Sequence, residues 1–278
     1  MSTEAQSWYS LGKSNLLSGK FYESLNDYAK GIQLTSNEEL IKTAQKHLSR
    51  INQSRNLLPG YQWVQKLLQI GIAAKFPSAN DGKVAFKQIR ELSPIVKEPI
   101  KSPVVILAGG CSVEFESQMT IYNRVITEAF RDFTGTIISG GTTSGISGLI
   151  GRVQQKYPDK IHTIGYVPKI KTELVDKRYR EIRLTEGEEF SPAEPLQYWI
   201  DLIASSIEPS AVKLLGINGG RISAIEYRIS LALGAQVAVV EESGLEADKL
   251  LTDTDWNKSP NLYILSNNPQ GIRPFVMM

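Results

Sequence analysis

Hydrophobic residues follow two different patterns along this chain. Residues 4 to 75 show the pattern of helices only, whereas beyond residue 104 short apolar runs rich in β-branched residues alternate with helix-like stretches. The apolar runs, which predict mostly buried parallel strands, are residues 104–108, 136–139, 161–166, 212–217, 236–240 and 262–265. The helix-like stretches are residues 117–132, 145–157, 195–206 and 222–233. This alternation predicts an α/β fold with a Rossmann-like, doubly wound and mostly parallel sheet, which binds ligands at the carboxyl ends of its strands.

The helical region contains part of a repeat pattern. Residues 8–12 (WYSLG) and 24–28 (SLNDY) resemble the tetratricopeptide pattern, while Asn15 and Ser36 depart from it. A single repeat cannot bury its own hydrophobic face, and about three are usually needed. We therefore expect these helices either to pack on the second domain or, as we favour, to cap an array within a longer protein. Two more helices are predicted at residues 37–55 and 61–75.

Prolines mark the boundary between the two patterns. Pro77, Pro94 and Pro99 lie among charged and small residues, which predicts a linker with one short helix near residues 83–92. The predicted organisation is a helical, tetratricopeptide-like region (1–75), a linker (76–102) and a nucleotide-binding domain (103–278).

Composition is that of a globular protein without a nucleic-acid surface. Of the 278 residues, 41% are hydrophobic and 22% are charged, and the formal net charge is +2. Basic residues between positions 169 and 183 are interleaved with acidic ones, which favours a solvated loop over a groove-binding patch. The single cysteine, the lack of a signal-peptide pattern and the absence of an apolar run of membrane-spanning length predict a cytoplasmic protein.

Two glycine-rich turns carry the strongest functional signal. Residues 140–145 (GGTTSG) and 218–223 (NGGRIS) each follow a predicted strand and open a predicted helix, and Gly109 and Gly110 follow a third strand. A helix N-terminus directs backbone N–H groups, with about half a positive charge, at whatever lies above the sheet. Paired turns of this kind predict a phosphate-binding cradle.

Glycines recur every third residue after the first turn. Gly145, Gly148 and Gly151 give the predicted helix a smooth face that a strand or a ligand can approach closely. Ligand binding is the favoured interpretation, and close packing of helix on sheet is the alternative.

Glu226 lies one turn into the helix that follows the second turn. Its carboxylate either interacts favourably with the helix dipole or acts beside a sugar, as a hydrogen-bond acceptor for ribose hydroxyls or as an acid or base. Both interpretations remain open at this point.

The two turns resemble the motifs of a known family. Residues 140–148 look like the first glycine motif of the LOG phosphoribohydrolases, GGGxxGxMG, and residues 219–226 look like their second, GGxGTxxE. Both motifs occur in the wider SLOG superfamily, and residues 100 to 275 are most similar to its LSDAT branch, which is shared by bacterial proteins and TRPM channels. The resemblance implies a sensor of nucleotides and NAD-derived molecules such as ADP-ribose or cyclic ADP-ribose.

Departures from the hydrolase motifs favour binding over catalysis. The chain has no convincing equivalent of the hydrolases' Arg-Lys pair, and Thr142 and Ile222 each replace a motif glycine. Glu226 alone would supply only part of the chemistry, since general acid–base catalysis contributes about 10²–10⁴-fold. A phosphoribohydrolase or NAD glycohydrolase that uses Glu226 is the alternative function. An interaction protein with relic turns is the third.

Other reactive residues offer weaker signals. Cys111, in the glycine turn that follows the first predicted strand, is interpreted as a packing or ligand contact, because His47 and His162 are not expected to form a nucleophile pair with it. One cysteine and two histidines also leave no zinc site. Tyr198 and Trp199 are expected in the core.

The predicted site and partners follow from these signals. No cofactor, metal or nucleic acid is expected, and the partners are a small nucleotide, copies of the chain itself and a possible effector, with a role in bacterial defence or stress signalling. The residues expected to bind the ligand are Gly109, Gly110, Cys111, Ser112, Gly140, Gly141, Thr142, Thr143, Ser144, Gly145, Tyr166, Asn218, Gly219, Gly220, Arg221, Ile222, Ser223 and Glu226.

Overall fold

The computed structural model describes residues 2–55, 58–93, 99–110 and 119–277. They form two compact units. The first comprises Met1–Pro99, Pro195–Pro209 and Arg228–Gly234, and the second comprises Ile100–Glu194, Ser210–Tyr227 and Ala235–Met278. The division at residues 75 and 102 stays a prediction.

The first unit is all-helical. Small residues allow its first two helices to cross closely, because a β-carbon at Gly12 would lie 2.7 Å from the Tyr28 ring and one at Gly31 would lie 2.5 Å from the Tyr9 ring. The Ser24 hydroxyl donates to the Gly12 carbonyl at 2.8 Å at the same crossing. The helices of the N-terminal region are α1 (Ser2–Leu17), α2 (Phe21–Leu34), α3 (Glu38–Arg55), α4 (Tyr61–Lys75) and α5 (Asn80–Leu92).

Lys75 connects α4 to the end of α2. Its Nζ donates to the carbonyl oxygens of Ile32, Gln33 and Thr35 at 2.6, 2.9 and 3.0 Å. Burial lowers the pKa of the Lys75 ammonium to about 8. Carbonyls at a helix C-terminus have free acceptor capacity, and this lysine donates to three of them at once.

The second unit contains a seven-stranded sheet in the order β4-β3-β2-β1-β5-β6-β7, and all its strand pairs are parallel. This confirms the predicted Rossmann-like α/β fold. The central strands β1 and β5 are buried almost throughout, as expected when both faces of a parallel sheet are covered. The strands are β1 (Val104–Gly109), β2 (Gly135–Ser139), β3 (Ile161–Pro168), β4 (Glu181–Thr185), β5 (Val212–Ile217), β6 (Gln236–Val240) and β7 (Leu262–Leu265).

Helices follow most of the strands. Two of them, α8 and α9, contribute residues to both units, and the expected core residues Tyr198 and Trp199 of α8 are buried. No helix within the described ranges combines the length and the apolar character that a membrane span requires. The helices are α6 (Met119–Ala129), α7 (Gly145–Lys156), α8 (Ala193–Ala204), α9 (Arg221–Leu233), α10 (Leu245–Thr252) and α11 (Pro269–Met277).

The strand β4 differs from the sequence-based prediction. Residues 169–183 were interpreted as a solvated loop, but β4 begins at Glu181, and both Asp176 and Arg183 are buried. Arg183 is paired with Glu181 at 2.7 Å and lies over the Tyr166 ring. Charged residues therefore lie inside this part of the fold because they are paired with one another.

Candidate functional site

Three glycine-containing turns lie at the carboxyl ends of neighbouring strands. The strand order reverses between β1 and β5, the kind of position where open α/β sheets bind ligands. The Ile146 amide, at the start of α7, donates to the Gly110 carbonyl at 3.2 Å. A β-carbon at Gly110 would lie 2.7 Å from Asn218 Oδ1. The structure thus brings Gly110, which follows β1, together with the turns that open α7 and α9.

Asn218 determines the shape of the turn between β5 and α9. Its φ of 60° lies in the left-handed region, which asparagine tolerates better than most residues. Its Nδ2 donates to the Ser243 carbonyl at 2.9 Å, and its Oδ1 accepts the Gly219 amide at 2.7 Å. The backbone N–H of Asn218 donates to Ser243 Oγ at 2.9 Å. Both polar atoms of this side chain are therefore used within the turn.

Tyr227 supports the same turn from α9. Its hydroxyl donates to the Asn218 carbonyl at 3.1 Å, and its side chain is fully buried. A β-carbon at Gly216 would lie 2.8 Å from the Tyr227 ring, and one at Gly219 would lie 2.7 Å from the Tyr227 hydroxyl. Gly216 and Gly219 therefore permit this tyrosine to pack, which is a structural reason for glycine at both positions.

Gly220 is the residue of the second turn that faces open space. It is exposed, and a β-carbon there would have no described atom within 4 Å. It directly precedes α9, whose first turn contains no acidic residue. Amides in the first turn of a helix lack intrahelical partners and lie at the positive end of the helix dipole. An anion can therefore approach α9 at Gly220.

The turn between β2 and α7 is bound to the segment that connects β3 and β4. The Thr142 amide donates to Ser147 Oγ at 2.9 Å, and the Thr143 amide donates to the Leu174 carbonyl at 3.3 Å. The Asp176 amide donates to the Gly141 carbonyl at 2.8 Å. Two amides expected to bind phosphate are thus occupied by protein groups.

Hydroxyl groups are the accessible side chains of this turn. Thr143 and Ser144 are exposed, and Ser144 stands at the N-cap of α7 without making a capping hydrogen bond. A serine at this position usually accepts a hydrogen bond from a first-turn amide. The first turn of α7 also has no acidic residue. The end of α7 therefore offers hydroxyls and a positive dipole, with fewer amides than the sequence suggested.

Gly141 and Gly165 pack backbone against backbone. Gly141 has a φ of 68°, and a β-carbon there would lie 2.9 Å from Gly165 Cα and 2.8 Å from Val167 Cγ2. A β-carbon at Gly165 would in turn collide with Gly141. Gly141 is therefore required by the contact between the turn and β3.

The glycine face of α7 is covered by the protein itself. A β-carbon at Gly148 would collide with the Thr143 carbonyl, and one at Gly151 would collide with the Asp176 carboxylate. Asp176 is 2% exposed and accepts two hydrogen bonds from the Arg178 guanidinium, from Nε at 2.8 Å and from Nη2 at 2.6 Å. At Gly148 and Gly151 the structure agrees with the packing interpretation, and the buried carboxylate of Asp176 occupies the space beside Gly151.

Tyr179 completes the connection between this segment and α7. Its hydroxyl donates to the Ser147 carbonyl at 2.8 Å and lies 3.1 Å from Ser147 Oγ. Burial raises the pKa of the Tyr179 hydroxyl, so the residue is neutral and remains a hydrogen-bond donor.

The remaining predicted residues lie in different places. Tyr166 is buried on β3 and accepts a hydrogen bond from Arg183 at 3.2 Å. Because Gly141 packs on the neighbouring Gly165 and successive side chains of a strand alternate, Tyr166 points to the other face of the sheet. Arg221 is exposed at the first position of α9, Ile222 and Glu226 are partly exposed, and Ser223 is buried. Gly109 packs on Ile146, whereas Gly140 has an ordinary contact with Ser147. Cys111 and Ser112 lie outside the described residues.

Four residues that shape the site were not predicted from the sequence. They stabilise the turns through hydrogen bonds or buried contacts and are Asp176, Tyr179, Tyr227 and Ser243. Ser243 follows a buried strand, a pattern that could have indicated it. The described residues contain no group of three or more histidine, cysteine, aspartate and glutamate side chains able to hold a metal ion.

Comparisons with known proteins place this geometry in context. The family model described as SLOG in TRPM, prokaryote, matches residues 102–269, which is more than half of the chain. None of the curated protein sequences is detectably similar to the chain. Among solved structures, the molybdenum cofactor carrier protein of Chlamydomonas reinhardtii is 15% identical, with a TM-score of 0.46 over 63% of this chain and 95% of its own. The molybdenum cofactor binding protein of the phototrophic bacterium Rippkaea orientalis is 15% identical, with a TM-score of 0.43 over 62% and 93%.

Proposed function

This chain belongs to the prokaryotic family described as SLOG in TRPM, and we propose that its second unit binds a nucleotide-derived anion of the ADP-ribose type. The observation that carries the proposal is the convergence of two helix starts, α7 and α9, at one position of the sheet. Neither helix has an acidic residue in its first turn, so neither dipole is compensated there by the helix's own side chains.

The two helix starts differ in what they offer to the ligand. At α9, Gly220 leaves open space beside first-turn amides, which suits a pyrophosphate oxygen. At α7, Thr143 and Ser144 offer exposed hydroxyls, which suit a ribose or a second phosphate. A ligand with both a pyrophosphate and a sugar satisfies both ends, whereas a single phosphate satisfies one.

In this proposal, binding of the nucleotide is the step by which the protein senses a signal in the bacterial cytoplasm. In this proposal the occupied site changes how copies of the chain associate, or how the helical unit presents an effector, in defence or stress signalling. Static light scattering with and without the ligand tests the first of these routes, since the molar mass changes only if association changes.

The direct test compares two variants of nearly equal size at Gly220. Gly220→Asn and Gly220→Asp both place a good N-cap residue before α9, so both are expected to fold. Only the aspartate adds a negative charge where the phosphate is expected. By calorimetry, ADP-ribose should bind the Asp variant at least about tenfold more weakly than the Asn variant, since like charges in contact cost up to several kcal/mol. Ala79→Asp, at the N-cap of α5, is the matched control and should leave binding unchanged.

Three outcomes contradict the proposal. Equal affinity of the two Gly220 variants would place the anion elsewhere. Failure of ADP-ribose, cyclic ADP-ribose, NAD and AMP to bind the unaltered protein would remove the nucleotide. Release of free base from AMP or NAD, abolished by Glu226→Gln, would replace a binding role with the hydrolase alternative.

A further inference from the structure

A cavity lies at the amino ends of the strands, at the opposite end of the sheet from the glycine turns of the same unit. Its volume is about 440 Å³, and it is lined where β1, β5 and β6 begin and where α11 ends. Ligand cavities typically measure about 300–1,000 Å³, so this one is large enough for a small molecule. Its walls are mainly apolar and include Val104, Val105 and Val276, whereas Ser102 and Ser210 contribute hydroxyls.

Among the described residues that line this cavity, Lys213 is the one cation. It lies in β5, pairs in register with Val105 on one side and Gln236 on the other, and is only 8% exposed. Its Nζ lies 6.0 Å from the centre of the Phe275 ring. Within the described residues, Lys213 makes no ion pair and no hydrogen bond through Nζ.

This position is an unfavourable one for a charge. Strands buried on both faces normally carry apolar residues, and an ammonium that is partly withdrawn from water is destabilised unless an anion compensates it. Burial lowers the pKa of the Lys213 ammonium accordingly. A bound anion would restore the compensation, and Gln236, adjacent in register, adds an amide donor on the same side of the sheet.

We propose that this cavity binds a small organic carboxylate, with its charged group at Lys213 and Gln236 and its apolar body against Val276 and the neighbouring valines. A carboxylate is preferred to a phosphate because one negative charge balances one ammonium. The second charge of a phosphate would have no cation among the lining residues that the structure describes. Apolar walls favour a hydrocarbon body over a polar one.

The test uses hexanoate, its neutral analogue hexanamide, acetate and inorganic phosphate. Calorimetry on the full chain should show saturable binding of one hexanoate per chain, with acetate and phosphate at least about tenfold weaker and hexanamide not bound. Lys213→Met, which fills the space without a charge, should weaken hexanoate at least about tenfold. Lys258→Met, at an exposed lysine of the same unit, should leave it unchanged.

A second measurement keeps the proposal testable if Lys213→Met does not fold. Reductive methylation with ¹³C-formaldehyde labels the lysines, and Lys213→Arg identifies the Lys213 signal by its disappearance. Hexanoate should shift that signal and no other. Equal binding of hexanoate and hexanamide, tighter binding of phosphate, or hexanoate binding that survives Lys213→Met would each overturn the proposal. So would the absence of any shift at Lys213.

Discussion

Adjacent glycines in the first turn should respond very differently to the same substitution. Gly141→Ala places a methyl group 2.9 Å from the Gly165 backbone and 2.8 Å from Val167, at a φ of 68°. The left-handed conformation costs a non-glycine residue about 1–2 kcal/mol. Overpacking against a core that cannot yield adds about 1–3 kcal/mol. The expected loss in the free energy of unfolding is therefore about 2–5 kcal/mol.

Gly140→Ala is the matched control for this prediction. Its φ is not positive, and a β-carbon there would lie 3.5 Å from Ser147 Oγ, an ordinary contact. The expected change is below about 1 kcal/mol and of either sign, because alanine also restricts the unfolded chain. Urea denaturation followed by tryptophan fluorescence should give a clearly lower midpoint for Gly141→Ala and a nearly unchanged one for Gly140→Ala. Free energies of unfolding that agree within about 0.5 kcal/mol would refute the contact between the turn and β3.

Two further substitutions test buried carboxylates. Asp176→Asn removes the buried carboxylate that accepts hydrogen bonds from Arg178 and should cost about 1.5–3 kcal/mol in the free energy of unfolding measured with urea. Lys249→Met, in the surface pair with Glu246, should cost less than about 1 kcal/mol, and equal losses would contradict the role of the buried carboxylate. Burial raises the pKa of Glu194, so its stabilising contribution is present below the unfolded pKa and is lost as the pH rises through the folded one. The stability of the wild type relative to Glu194→Gln should therefore fall as the pH rises above the ordinary pKa of a glutamate, and a difference that does not change with pH would contradict this.

The strands at the centre of the sheet were predictable because burial determines their composition. β5 and β6 have the predicted boundaries, since strands covered on both faces appear in the sequence as continuous apolar runs. β4 was missed for the complementary reason. It lies at the end of the sheet, and its Glu181 and Arg183 alternate with apolar residues. Because these two charged residues pair with each other, the strand does not need a continuous apolar run and the sequence does not show one.

The glycine turns were recognisable, but the purpose of each glycine was not. Gly219 and Gly220 are equivalent in the motif, yet one is required by the packing of Tyr227 and the other faces open space. Likewise, nothing near Gly151 in the sequence indicates that Asp176, far along the chain, will lie against it. Such assignments depend on contacts between distant segments, which local patterns do not record.

The unequal use of the two helix starts limits what can bind between them. The amides of Thr142 and Thr143 are already hydrogen-bonded within the protein, so a phosphate at α7 would find fewer donors than one at α9. Binding energy should therefore be concentrated at Gly220, while α7 contributes orientation through Ser144 and its neighbouring hydroxyl. In the proposed function, such a site should distinguish ligands by the group attached to the phosphate, because a tightly bound ligand must both fill the open space beside α9 and contact the hydroxyls beside α7.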